Sequence, residues 1–119
     1  MIRLELSGQV RGGKNHINIT RTGKRYPTAE WAAWRDKMVW QVRSQVKGPK
    51  PIFSKPCNAL IRYWAGDKKR RDVPAILDSL FHVLEKSGIV KDDVLLDCIT
   101  FHTDYDKEHP RVFIEIEER

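Results

Sequence analysis

Residues 2–7 alternate apolar Ile2, Leu4 and Leu6 with polar Arg3, Glu5 and Ser7, the two-residue period of a strand with one buried face. A loop rich in Gly, Lys and Asn comes next. Thr28 is placed to cap a helix whose apolar positions Trp31, Trp34, Met38, Val42 and Val46 recur at three and four residues, and Gly48-Pro49 ends it. Trp40 falls off that stripe, so it is free to face a partner. After a linker over 50–56, residues 57–65 carry many β-formers and read as a strand. Val73, Ile76, Leu77, Leu80, Phe81 and Leu84 then predict a second amphipathic helix, with Pro74 in its first turn and Gly88 at its end. Residues 96–104 and 111–117 read as two more strands joined by a turn over 105–110. The order β-α-β-α-β-β predicts an α+β fold in which a mainly antiparallel or mixed sheet packs against two helices.

A chain of 119 residues fits one domain, spanning residues 1–119. Its hydrophobic fraction of 40% allows an ordinary core. Lys and Arg outnumber Asp and Glu by 22 to 16, a net charge of +6, which favours a polyanionic partner. The first residues lack the apolar run of a signal peptide, and no stretch approaches the roughly 20 apolar residues of a membrane span. A cytoplasmic location without a membrane partner is the expectation. Cys57 and Cys98 each sit in an apolar strand-like run and are expected in the core as small hydrophobes. His16, His82, His102 and His109 show no zinc-ligand spacing toward them.

Three segments could carry chemistry. Gly8-Gln-Val-Arg-Gly-Gly13-Lys14-Asn15 fits G-x-x-x-x-G-K but lacks the closing Ser or Thr, and His-Ile-Asn-Ile-Thr is a poor helix start. No nucleotide cofactor is expected; the segment is either a connecting loop or one that carries Arg11, Lys14 and Asn15 toward a phosphate. The second segment is the basic run Lys68, Lys69, Arg70 and Arg71, which leads into Asp72 at the mouth of the second helix. Such a run is often a solvated loop, but a helix start attracts phosphate. A carboxylate inside the run repels phosphate unless a cation intervenes. The third segment is Lys91-Asp92-Asp93, either a polar turn or a source of metal ligands. If the strands before and after the second helix are neighbours, Asp72 and Asp93 are expected at adjoining loop ends. There they could share Mg²⁺, which needs few carboxylates besides water and phosphate oxygens.

Arg70-Arg71-Asp72, the helix ending Leu-Glu-Lys-Ser-Gly88, and Ile-Val-Lys-Asp-Asp93, in this order and spacing, resemble the RusA family of Holliday junction resolvases. The resemblance extends to the N-terminal strand, the Lys14-Asn15 loop and the aromatic helix. It implies a homodimeric, magnesium-dependent endodeoxyribonuclease, with Mn²⁺ also supporting activity, that cleaves four-way junctions or related branched DNA in recombination and repair. The family's catalytic carboxylates lie in the two blocks and match Asp72 and Asp93. The family pattern Asp-Leu-Asp-Asn is here Asp72-Val73-Pro74-Ala75, and Asp78 stands where a catalytic Lys is usual. Position 78 lies one turn after 74, so Asp78 could supply the missing ligand; it equally fits a solvated stripe with Ala75, His82 and Glu85. Asp72, Asp93 and Asp78 are thus the candidate catalytic residues, and Asp92 joins them as a candidate ligand. Lys14, Asn15, Lys68, Lys69, Arg70, Arg71 and Lys91 are the candidate DNA contacts, with Lys68, Lys69 or Lys91 standing in for the lost cation. His82 is expected at the surface or as a cap. The alternative reading is a branched-DNA-binding module that has lost cleavage.

Overall fold

The computed structural model describes residues 1–12, 17–19, 21–23 and 25–119, without the side chains of 17–19 and 25–27. In chain order the elements are β1 (Ile2–Ser7), β2 (Ile17–Ile19), β3 (Arg25–Pro27), α1 (Ala29–Gln45), β4 (Cys57–Ala65), α2 (Val73–Lys86), a single 3-10 turn (Asp93–Leu95), β5 (Leu96–Tyr105) and β6 (Arg111–Glu118). The predicted α+β order is present. The short antiparallel β2-β3 pair is an addition, too brief for its period to stand out in the sequence.

β1, β6, β4 and β5 form one sheet in that order. β6 runs antiparallel to both β1 and β4, whereas β5 runs parallel to β4. The parallel pair is joined through α2, because parallel neighbours need a crossover and a helix is the usual one. Alternate residues of β4, from Cys57 through Ala59, Ile61 and Tyr63 to Ala65, are buried, as are Leu4, Leu6, Val112, Ile114 and Ile116. Against this face pack Trp31, Trp34, Met38, Val39 and Val42 of α1 and Ile76, Leu80, Val83 and Leu84 of α2. Trp40 is 69% exposed, as its place off the stripe predicts. Cys57 is buried, but Cys98 is exposed. It pairs with Asn58 in the register that places both on the sheet face away from the helices, so the core expectation holds for one cysteine and fails for the other. The apolar run around Cys98 reflected strand propensity on an edge strand rather than depth.

β1 is also an edge strand, and α1 closes it. Gln41 accepts from Ser7 N–H at 2.8 Å and donates to its carbonyl at 3.1 Å, while Gln45 does the same for Glu5 at 3.0 and 2.7 Å. Two side-chain amides thereby occupy edge groups that would otherwise invite another strand.

The end of α2 sets the course of the chain beyond it. Gly88 adopts φ +85°, with its N–H donating to the Glu85 carbonyl and Ile89 N–H to the Leu84 carbonyl, both at 3.0 Å. This is the paired closing motif that a left-handed residue permits after a helix. The chain then turns back, and residues 52–53 hold it: Phe53 N–H donates to the Ile89 carbonyl at 2.9 Å and Lys91 N–H to the Phe53 carbonyl at 3.0 Å. A Cβ on Gly88 would also lie 2.9 Å from Lys50 Cβ. Gly88→Ala is therefore expected to lower the unfolding free energy by about 1–2 kcal/mol, read from urea denaturation. A parental midpoint would show that the turn carries no such constraint.

Candidate metal centre and nucleic-acid interface

The return loop brings carboxylates to α2. Asp92 caps the 3-10 turn, one of its oxygens accepting from Val94 N–H at 3.1 Å, and Asp93 opens that turn. Ligand oxygens of Asp92, Asp93 and Glu85, the last from the final turn of α2, lie within 4.8 Å of one another, and all three residues are exposed. No other group of three His, Cys, Asp or Glu side chains converges in this way among the described residues. Desolvation, then the negative charges of Glu85 and Asp92 with a contribution from Asp78, pushes the Asp93 carboxyl above its ordinary pKa. The helix adds to this strain, since its C-terminal end favours cations over carboxylates. Three hard oxygen donors open to solvent fit a divalent cation such as Mg²⁺, which keeps several waters.

Asp72 lies elsewhere. It is the N-cap of α2, accepting from Ala75 N–H at 3.3 Å. It precedes Glu85 by 13 positions, about 20 Å along a helix. Neighbouring β4 and β5 meet the condition set for adjoining loops, but they are parallel. The loop leaving β4 and the loop entering β5 therefore sit at opposite strand ends. The expectation of adjoining loop ends is therefore corrected: within one chain the parallel pairing keeps Asp72 apart from Asp93. Asp78 is exposed and outside the trio, although its charge reaches Asp93. The sequence reading missed Glu85 as a candidate ligand; its place on one stripe with Asp78 and His82 was the available signal.

His82 is neither a cap nor a plain surface residue. Its ring packs on Trp31 with centroids 5.4 Å apart, and its Nε2 is buried without a partner. Burial, then the charges of Arg35 and Lys86, lowers its pKa and favours the neutral imidazole.

The basic run occupies the opposite end of α2. Lys68, Lys69 and Arg70 are exposed and Arg71 is half-buried. Asp67 shapes the loop: it accepts from Lys69 N–H at 2.9 Å and pairs with the Arg71 guanidinium. The Lys69 N–H, followed by the Gln9 amide and Arg71, holds the Asp67 carboxyl below its usual pKa. Lys68 Nζ lies 5.0 Å from the Tyr105 ring centre. Arg70, Arg71, Asp72, Val73 and Pro74 line an open cleft at the helix start, where positive side chains and the positive end of the helix dipole favour phosphate. Lys91 is exposed beside the carboxylate trio. Lys14 and Asn15 lie outside the described residues.

The family model described as endodeoxyribonuclease RusA matches residues 7–117. The chain belongs to the RusA family. A curated relative, the crossover junction endodeoxyribonuclease RusA of Aquifex aeolicus (strain VF5), is 28% identical over 74 residues, 62% of this chain. The match spans 57% of that relative's length. In this RusA-family chain no helix among the described residues is long and apolar enough to cross a membrane.

A group whose folded pKa is raised contributes stability at low pH and loses it as pH rises through that pKa. Asp93 is therefore expected to cost stability at pH 7. Asp93→Asn should be at least as stable as the parent in EDTA. Mg²⁺ or Mn²⁺ at a hundredfold excess over its dissociation constant should stabilise the parent by about 2.7 kcal/mol and the variant far less. Asp72→Ala should lose about 1 kcal/mol of capping yet keep the ion-induced rise. Thermal melts of the three proteins with and without ion check this; an ion response lost in Asp72→Ala and kept in Asp93→Asn would reverse the assignment.

Proposed function

We propose that the chain is a Mg²⁺-dependent endodeoxyribonuclease that cuts branched DNA, four-way junctions among its substrates, in recombination and repair. The observation that carries this reading is the convergence of Glu85, Asp92 and Asp93 in a chain of an endodeoxyribonuclease family. Such a protein would work where DNA is, in the cytoplasm.

Asp93, Asp92 and Glu85 would hold the ion, with Asp78 adding negative potential nearby. When bound, Mg²⁺ supplies Lewis-acid polarisation of the scissile phosphate and an acidified water. Lys91 meets phosphate charge beside the trio. Lys68, Lys69, Arg70 and Arg71 grip the backbone at the other end of α2, which fixes position without reading bases. Asp72 holds the first turn of α2 and thereby the direction in which that basic loop leaves β4. A four-way junction has approximate two-fold symmetry, so a C₂ homodimer would present two matching sites to it. The bare indole of Trp40 is available to such a contact.

One observation favours a second reading, a branched-DNA-binding module without cleavage: Pro74, Ala75 and Asp78 replace the family's carboxylate, amide and lysine. A labelled four-way junction separates the two. Mg²⁺-dependent nicking by the parent is expected, falling about a hundredfold in Asp93→Asn, the scale of losing a transition-state charge contact, with junction binding kept. Binding that persists in EDTA, with no product under Mg²⁺ or Mn²⁺, would replace the nuclease reading by the binding module.

A further inference from the structure

Two basic segments far apart in sequence are joined by one side-chain amide. Gln9 Oε1 accepts from Gly66 N–H at 2.7 Å and from the Tyr63 hydroxyl at 3.2 Å, while its Nε2 donates to Asp67 at 3.3 Å. The Gln9 backbone is fixed as well, its carbonyl accepting from the Trp34 indole N–H at 2.8 Å. In the two residues that follow, Val10 N–H donates to the Tyr63 hydroxyl at 3.0 Å and the Trp31 indole N–H donates to the Arg11 carbonyl at 3.3 Å. Tyr63 is 1% exposed, and burial raises its pKa, so its hydroxyl keeps the proton it gives Gln9. A Cβ on Gly66 would come within 2.7 Å of Pro110 and stand at an ordinary contact distance of 3.5 Å from the Gln9 amide. A Cβ on Gly12 would lie 3.1 Å from Ala75 Cβ, so this loop rests on the first turn of α2. Arg11 and the run 68–71 thus flank the same helix end.

We propose that Gln9 is a positioning residue that locks the Arg11 loop and the 68–71 loop into one rim, which grips a continuous stretch of DNA backbone as a unit. The inference rests on the DNA-acting reading above. Each loop left free would have to be ordered by the DNA, and ordering even one long side chain costs part of the affinity. A pre-set rim makes its phosphate contacts together, and each contact steepens the salt dependence of binding.

The full chain is titrated with a labelled four-way junction in EDTA, from about 50 to 200 mM salt, the span over which phosphate contacts dominate affinity. Gln9→Met keeps the length and charge of the side chain and removes its hydrogen bonds; about tenfold weaker binding is expected, with a salt slope shallower by about one to two phosphate contacts. Tyr63→Phe removes one partner of the amide and the anchor of Val10 while keeping the packed ring, and about a threefold loss is expected. It decides the matter if Gln9→Met does not fold. Gln45→Ala deletes two comparable bonds to the Glu5 backbone, so it should lower Tm while leaving affinity and slope unchanged. Folded Gln9→Met and Tyr63→Phe with parental affinity and slope would overturn this inference alone. A parent that binds no junction would sink the functional reading and this inference with it.

Discussion

Glu85, Asp92 and Asp93 are held within 4.8 Å of one another at the helix end where the backbone dipole is negative. Like charges in that position separate unless the chain gives them no choice. Here the choice is removed by the closing turn at Gly88 and by the bonds between residues 88–91 and 52–53. The buried side chains of Ile89 and Val90 complete the anchor. Desolvation and then this repulsion raise the Asp93 pKa, and a divalent cation held there, as proposed above, would relieve the repulsion.

The same helix organises the opposite charge. α2 begins at a capped N-terminus beside Arg70 and Arg71 and ends at carboxylates; its start suits phosphate and its end suits a cation. The β4-α2-β5 crossover sets the two ends at opposite strand ends of the sheet, and α1 supports the arrangement through its two buried tryptophans. Trp31 and Trp34 fill the core with their rings while their N–H groups hold the carbonyls of Arg11 and Gln9. An amphipathic side chain with an apolar body and one donor is well suited to tie a surface loop to a core.

The apolar periods of β1 and both helices were legible because each of these elements buries one face, and burial imposes a period; β4 was legible from its share of β-formers instead. Gly88 and Thr28 marked helix ends for the same local reasons that make them caps. The carboxylate trio was only half legible. Asp92-Asp93 stood out, but Glu85 joins them through a chain reversal whose length, not its pattern, sets the contact. Placing Asp72 and Asp93 at adjoining loop ends failed because adjacency of β4 and β5 was weighed without their direction, and parallel strands put the two loops at opposite ends. Cys98 was misplaced because an edge strand keeps the composition of a central one. Gln9 left no trace in the sequence, since a side chain that bonds to a distant backbone N–H obeys no local spacing.

Crystals soaked in Mn²⁺ and measured for anomalous scattering test the metal assignment most directly. An ion peak bounded by the carboxylates of Glu85, Asp92 and Asp93 is the expected result. A peak at Asp72 with none between those three would contradict it.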